Sequence, residues 1–318
     1  MVGSSIMRSF IKKGYKNIIT VDRSELDLTD EKNVRDWFKV NKPDVVILAA
    51  AKVGGIMANS RFPVEFMLEN LRIQNNVIYS SYLNKVKRFL FLGSSCIYPK
   101  SAKQPIREEE LLQAPLEKTN EAYALAKISG IKLVEYLRKE KEFDGISLMP
   151  TNLYGKNDNY TLNESHVLPA LIRKIYEAKE KNLSFIECWG TGKPLREFLY
   201  VDDLGDAAVF ALETWDPKEK KSPTDDNGNK LTYLNVGTGK DISIFELSNM
   251  LKEMIGFTGE IKWNTKKPDG TYKKQLDVSR IMKLGWDPKV KLKDGIKKTI
   301  QFFICLLYTS DAADDNAG

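Results

Sequence analysis

The chain has 318 residues, 42 % of them hydrophobic and 29 % charged, and a net charge of +6 at neutral pH. That balance is ordinary for a globular protein of about two domains, long enough to bury a sizeable core without cross-links. The basic residues are interspersed rather than gathered in a block, which argues against a nucleic-acid partner and suits a small anionic ligand.

The first predicted element is a helix, with Ile6 and Phe10 on one face and Gly14 placed just beyond its cap; no strand precedes it. Short runs rich in Val, Ile and Leu at Asn17–Val21, Asp44–Ala50, Arg88–Ser94 and Gly145–Pro150 read as buried strands. Between them lie helical patterns. Glu31–Val40 sets Val34, Trp37 and Phe38 on one side, Pro63–Leu83 does so with Phe66, Leu71, Ile73, Val77 and Ile78, and Asn120–Arg138 with Leu125, Ile128, Ile131, Leu133 and Leu137. Strand–helix alternation with continuous apolar strands predicts an α/β fold, a Rossmann-like doubly wound parallel sheet.

After Pro150 the pattern predicts sparser strands and longer loops, at Lys156–Glu164 and Asp216–Lys230. Asp203 is expected to cap the helix that follows it, and Ser243 with Glu246 has the spacing of a capping box. The expected division is a Rossmann-like domain over residues 1–155, with segments near 198–215 and 232–240 returning to it. A smaller C-terminal α/β domain covers 156–303. Residues 304–318 carry no amphipathic pattern and read as a non-native or disordered tail. No apolar run reaches the ~18 residues of a membrane helix, Ile300–Tyr308 being the nearest, and no secretory leader pattern opens the chain. The expectation is a cytoplasmic protein without a membrane partner.

Three scattered cysteines, Cys96, Cys188 and Cys305, and one histidine, His166, argue against a disulfide framework and against a metal site. The chemistry points elsewhere. Tyr123 and Lys127 in NEAYALAK stand at i and i+4 on one helix face, where an ammonium is expected to ease proton transfer by the phenol. FLGSSCIYP ends a strand in Gly93 and then presents Ser94, Ser95 and Cys96 at its carboxyl end, where open α/β sheets bind ligands.

Nine segments follow one another in order: AAAKVGGI (49–56), LGSSCIYP (92–99), EAYALAK (121–127), MPTNLYG (149–155), SHVLPALIRK (165–174), WGTGKPLREF (189–198), VDD (201–203), NVGTGKD (235–241) and KPDGT (267–271). Together they resemble the GDP-L-fucose synthase family of the extended short-chain dehydrogenase/reductase superfamily, from residue 1 to about 303. The resemblance implies a two-step activity with NADP(H): epimerisation at carbons 3 and 5 of a GDP-linked 4-keto-6-deoxy sugar, then reduction of its carbon-4 ketone. It implies Cys96 as base and His166 as acid for inversion. A thiol and an imidazole have pKa values suited to such proton transfers. It implies Ser94, Tyr123 and Lys127 as the reducing set.

The same resemblance places Gly3, Arg23, Ala50, Ala51, Leu92, Ser94, Lys127, Asn152, Leu153 and His166 around the cofactor. Gly3 stands as the last glycine of the dinucleotide fingerprint, expected where helix and strand pack too closely for a side chain; the first strand and the earlier glycines are absent. Asp22 beside Arg23 leaves NAD open against NADP, because an acidic residue there accepts from a free ribose hydroxyl. Lys174, Trp189, Arg196 and Asp269 are the implied GDP-sugar contacts, and a homodimer is implied through the helices at about 63–83 and 120–138. The alternatives are another NAD(P)-dependent nucleotide-sugar epimerase or dehydratase, or a truncated, inactive nucleotide-sugar binder.

Overall fold

The computed structural model describes residues 1–161, 165–267 and 269–314. The chain begins with α1 (Val2–Lys12), which closes as expected around Gly14. Gly14 takes φ +91°, its N–H donates to Ile11 O and that of Tyr15 to Phe10 O, and the Phe10 and Tyr15 rings meet edge to face at 5.0 Å. There follow α2 (Glu31–Asn41), β1 (Val45–Leu48), the short α3 (Ile56–Arg61), α4 (Pro63–Leu83), β2 (Arg88–Leu92), α5 (Glu121–Lys141) and β3 (Gly145–Pro150).

Beyond Pro150 the chain forms β4 (Asn152–Tyr154), α6 (Val167–Glu180), β5 (Phe185–Trp189), β6 (Leu195–Tyr200), α7 (Val201–Thr214), β7 (Tyr233–Val236) and β8 (Asp241–Ser243). It ends with α8 (Ile244–Ile255), β9 (Glu260–Asn264), β10 (Lys273–Lys274), α9 (Ser279–Lys283) and α10 (Leu292–Asp314). Strands are therefore more frequent after Pro150 than the sequence suggests. Apart from β7 they are split among small sheets, and β4, β8 and β10, at three, three and two residues, are too brief for periodicity to register.

The main sheet is parallel in the order β1-β2-β3-β7 and is doubly wound, with α4 packed on α5 and α1 on α7. One apolar core fills this layer around Phe89, Phe91, Ile131 and Leu148. A second gathers Leu171, Ile175, Phe198, Leu251 and Phe303 between α6, α8, β6 and α10. β6 links the parts: it pairs in parallel with β4 and β10 and antiparallel with β8.

Three expectations are corrected. Asn17–Val21 forms no strand; a strand needs a ladder partner, this run has none, and Ile19 and Val21 face solvent. Residues 304–314 are not a disordered tail but the continuation of α10, with Ile304 and Leu307 packed on the second core; the last four residues of the tail lie outside the described chain. Asp203 does not cap α7. It lies buried in that helix's first turn and accepts from Val290 N–H at 2.9 Å, which ties α7 to the approach to α10. The Ser243–Glu246 capping box forms as expected. The 156–164 loop is described as far as residue 161, and residues 162–164 lie outside the described chain.

Candidate active site

β2 runs into Gly93, where a side chain would press on the thioether end of Met149 of β3 and force it to move. Ser94 then caps a single helical turn, Ser95–Ile97, its oxygen accepting from Cys96 N–H at 3.2 Å. Its hydroxyl lies within hydrogen-bonding reach of both the Cys96 thiol and the Tyr123 phenol. Tyr98 anchors the turn from below through a 2.6 Å hydrogen bond to Asn235 of β7. Ser94 and Cys96 are thereby held, half-buried, at the carboxyl edge of the sheet.

Opposite stands the first turn of α5. Tyr123 lies edge-on to Phe66, and Lys127, one turn on, is buried with its ammonium donating to Leu92 O at 2.9 Å. The pair shares a face, as its spacing predicts, but the ammonium is committed to the strand backbone and stands 5.9 Å from the centre of the Tyr123 ring. Burial, with the Cys96 sulfur beside it, pushes the phenol above its usual value despite the Ser94 hydroxyl. The expected lowering of the phenol by Lys127 is thus not found. Burial also pulls Lys127 down to about 8.

Cys96 has a different environment. Burial works to raise its thiol, but the Lys274 ammonium of β10, 3.3 Å from Sγ, outweighs that together with the Ser94 hydroxyl and Arg196, and the thiol lies below its ordinary value. His166 is the N-cap residue of α6. It is exposed at the rim, yet the protein crowding its ring pulls the imidazole down, and Lys274 adds to the effect. Lys274 is a residue that the sequence reading missed. It lies three positions beyond KPDGT, in a Lys-Lys pair that nothing distinguishes in so lysine-rich a chain.

The other candidates fall into three groups. Trp189, Arg196 and Asp269 cluster at one end of the cleft. Lys267 lies over the Trp189 indole at 5.2 Å, burial lowers Arg196 while Cys96 and Asp269 attract it, and Asp269 accepts from Thr191 N–H and Oγ1. Gly190, at φ +75°, makes room for that carboxylate, which any side chain there would strike. Lys174 is set on α6 with its ammonium on Glu187 O at 2.8 Å.

Along the sheet edge, Ala50 is exposed, Ala51 and Leu153 are half-buried, Leu92 is buried, and Asn152 donates to Glu197 O at 2.8 Å. Gly3 and Arg23 form the third group. A side chain at Gly3 would meet Ala49 at an ordinary 3.8 Å, so packing does not require glycine there. Arg23 is 77 % exposed, near Glu69 at 4.0 Å, while Asp22 spends its Oδ1 on Ser24 and Glu25 of its own turn.

A second polar set surrounds the opening below Cys96, lined by Lys100, Glu117, Asn120, Thr271 and Lys274. Asn120 Oδ1 is buried there without a partner, an acceptor in need of a donor. Among the described residues no cluster of side chains suits a metal ion, and no helix is long and apolar enough to cross a membrane.

Comparison with known proteins places the chain in a family. The model of the NAD dependent epimerase/dehydratase family matches residues 1–225. GDP-L-fucose synthase 1 of Arabidopsis thaliana is 49 % identical over 304 residues, 96 % of this chain and 90 % of the relative. GDP-L-fucose synthase of Escherichia coli K12 is 45 % identical over 308 residues, 96 % of this chain and 94 % of the relative. Among solved structures, a GDP-mannoheptose C4 reductase from Campylobacter jejuni with NADP bound superimposes with a TM-score of 0.85 at 38 % identity, covering 95 % of each chain. The chain belongs to the NAD-dependent epimerase/dehydratase family, among the GDP-L-fucose synthases.

Proposed function

We propose that this chain converts GDP-4-dehydro-6-deoxy-D-mannose to GDP-L-fucose in two steps, inverting carbons 3 and 5 and then reducing the carbon-4 ketone with NADPH. The observation that carries this reading is the meeting of two kinds of group in one cleft: a thiol held beside ammonium Lys274 and a phenol kept protonated by burial.

The residues present fit a phosphorylated dinucleotide. Asp22 turns one carboxylate oxygen to the amides of its own turn, and the exposed Arg23 beside it is a cation suited to a phosphate rather than to a ribose hydroxyl. Lys127, Ala50, Ala51, Leu92, Asn152, Leu153 and Gly3 would hold the remainder along the carboxyl edge of the sheet. NADPH, when bound, supplies the hydride for the carbon-4 ketone.

The chain's own residues do the rest. Cys96 Sγ takes a proton from a carbon beside the ketone, and the electron pair of the broken C–H bond moves onto the carbonyl oxygen. Ser94 donates a hydrogen bond to that oxygen, and His166 returns a proton to carbon from the other side. In the reduction, Tyr123 gives its proton to the nascent alkoxide. Lys174, Trp189, Arg196 and Asp269 bind the GDP-sugar, with cations toward the diphosphate.

The active form in this reading is a cytoplasmic homodimer. Val64, Leu68, Tyr79 and Leu83 of α4 and Leu125 and Tyr136 of α5 are exposed on two helices that already pack together, an apolar surface suited to a second copy. The first core is taken as the cofactor domain and the second as the substrate domain. NMR analysis of the product decides the central claim: inversion at both carbons with NADPH consumed supports it, and a sugar reduced at carbon 4 without inversion reduces the assignment to a ketoreductase.

A further inference from the structure

We propose that Lys274 is the positioning residue of the inversion half-reaction: its ammonium, 3.3 Å from Cys96 Sγ, holds that sulfur as a thiolate facing the cleft. The proposal rests on the reading of Cys96 as the proton acceptor and adds the group that makes it one.

The geometry is specific. β10 is two residues long and pairs in parallel with β6, with Lys274 opposite Arg196. Its neighbour Lys273 forms an ion pair with Asp241 at 3.3 Å. Among the described residues no carboxylate lies within ion-pair distance of Lys274, whose side chain is half-buried and meets the Cys96 sulfur instead. A half-buried ammonium needs a negative or accepting partner. A thiolate supplies one, and the ammonium in turn favours the thiolate.

Everything charged or titratable that faces the sulfur agrees with that sign or is neutral. Arg196 of β6 adds a second positive charge, Ser94 offers a hydroxyl, and the Tyr123 phenol of α5 stays protonated. His166, from the cap of α6, is itself held low by the protein crowding its ring and by Lys274. Lys274 is thus the one group found to act on both members of the proposed acid–base pair, and it pulls both in the same direction.

That common direction supplies a test that a merely structural lysine would fail. Wild type, Lys274→Met, Lys274→Gln and Lys274→Arg are compared as intact proteins with melting temperatures checked. Iodoacetamide labelling of the Cys96 peptide is followed by mass spectrometry across pH, and solvent-deuterium exchange beside the ketone by NMR. In Lys274→Met and Lys274→Gln the labelling midpoint is expected to move up by about one unit, slowing labelling at pH 7 about tenfold, with exchange falling in step. Both limbs of the exchange–pH profile move up, because the imidazole also loses the neighbouring charge. Lys274→Arg restores most of the rate, and NADPH affinity is unchanged throughout. A labelling midpoint that stays put in folded Lys274→Met and Lys274→Gln overturns the proposal. A midpoint that shifts while exchange stays at the wild-type rate overturns instead the assignment of Cys96 as the base.

Discussion

The two halves of the cleft are built on opposite electrostatic plans. Ser94, Tyr123 and Lys127 rest on the main sheet: one at the end of β2, the others on the first turns of α5, with Lys127 bonded to the backbone of β2 itself. Burial governs this half, raising the phenol and lowering the ammonium. Cys96 shares the same turn but looks outward, to Lys274 and Arg196 on β10 and β6, and neighbouring charge outweighs burial there. A group that must stay protonated until an alkoxide forms is served by a dry pocket. A group that must give up its proton before the reaction starts is served by a cation.

The largest effect that would sharpen this contrast is the loss of one half alone. Tyr123→Phe is expected to slow NADPH oxidation about 10²–10⁴-fold, the range that a positioned acid supplies. Deuterium exchange beside the ketone should continue at nearly the wild-type rate; if both collapse together, the halves are not separable. Next comes Cys96→Ser, whose hydroxyl is far too weakly acidic for Lys274 to ionise. Exchange should fall about 10²-fold or more, while binding of NADPH, measured by fluorescence, is retained. A smaller contrast lies in pH. Lys127 titrates at about 8, so its ammonium disappears as pH rises through that value. The reduction step, for which Lys127 would hold the cofactor, should therefore weaken above about pH 8, up to tenfold per unit, whereas the pH dependence of exchange follows the Cys96 and His166 pair rather than Lys127.

The same contrast explains what was legible in the sequence. The sheet half could be read because its residues are near one another in the chain: Tyr123 and Lys127 share a helix face by spacing alone, and the apolar runs over β1, β2 and β3 mark the sheet whose edge carries Ser94. The rim half is assembled from segments joined only by folding. Cys96 and His166 were found through their motifs, but Lys274 acts through a contact 178 positions away in sequence, and a two-residue strand has no periodicity to reveal it. Asn17–Val21 misled for the converse reason, since an apolar run specifies a strand only where a neighbour completes its ladder. Nor could any pattern show that Lys127 would turn to Leu92 O instead of easing the phenol.

The smallest expected effect concerns how the rim half is held together. Glu197 of β6 is fully buried, one oxygen accepting from the Thr238 and Gly239 amides and the other from Leu276 N–H at 2.8 Å. It thereby fixes the segment just after Lys274 to the strand that carries Arg196. Burial raises this carboxyl above its usual value, although its backbone donors oppose the shift. With the folded value above the unfolded one, its ionisation costs stability as pH rises from the unfolded value through the folded one. Glu197→Gln removes that cost. It also replaces one acceptor oxygen with an NH₂ that faces backbone donors on either side and can accept from none of them. Leaving buried amides unpaired costs about 1–3 kcal/mol, which should outweigh the relief of the charge, because those amides would otherwise stabilise the ionised form. The expected result is a melting temperature lower by a few degrees. Exchange should fall more than NADPH affinity, as the 274–276 segment loosens while the sheet edge stays in place. An unchanged melting temperature with both activities intact would show that β10 is held by its ladder to β6 alone and that the rim half is as self-supporting as the sheet half.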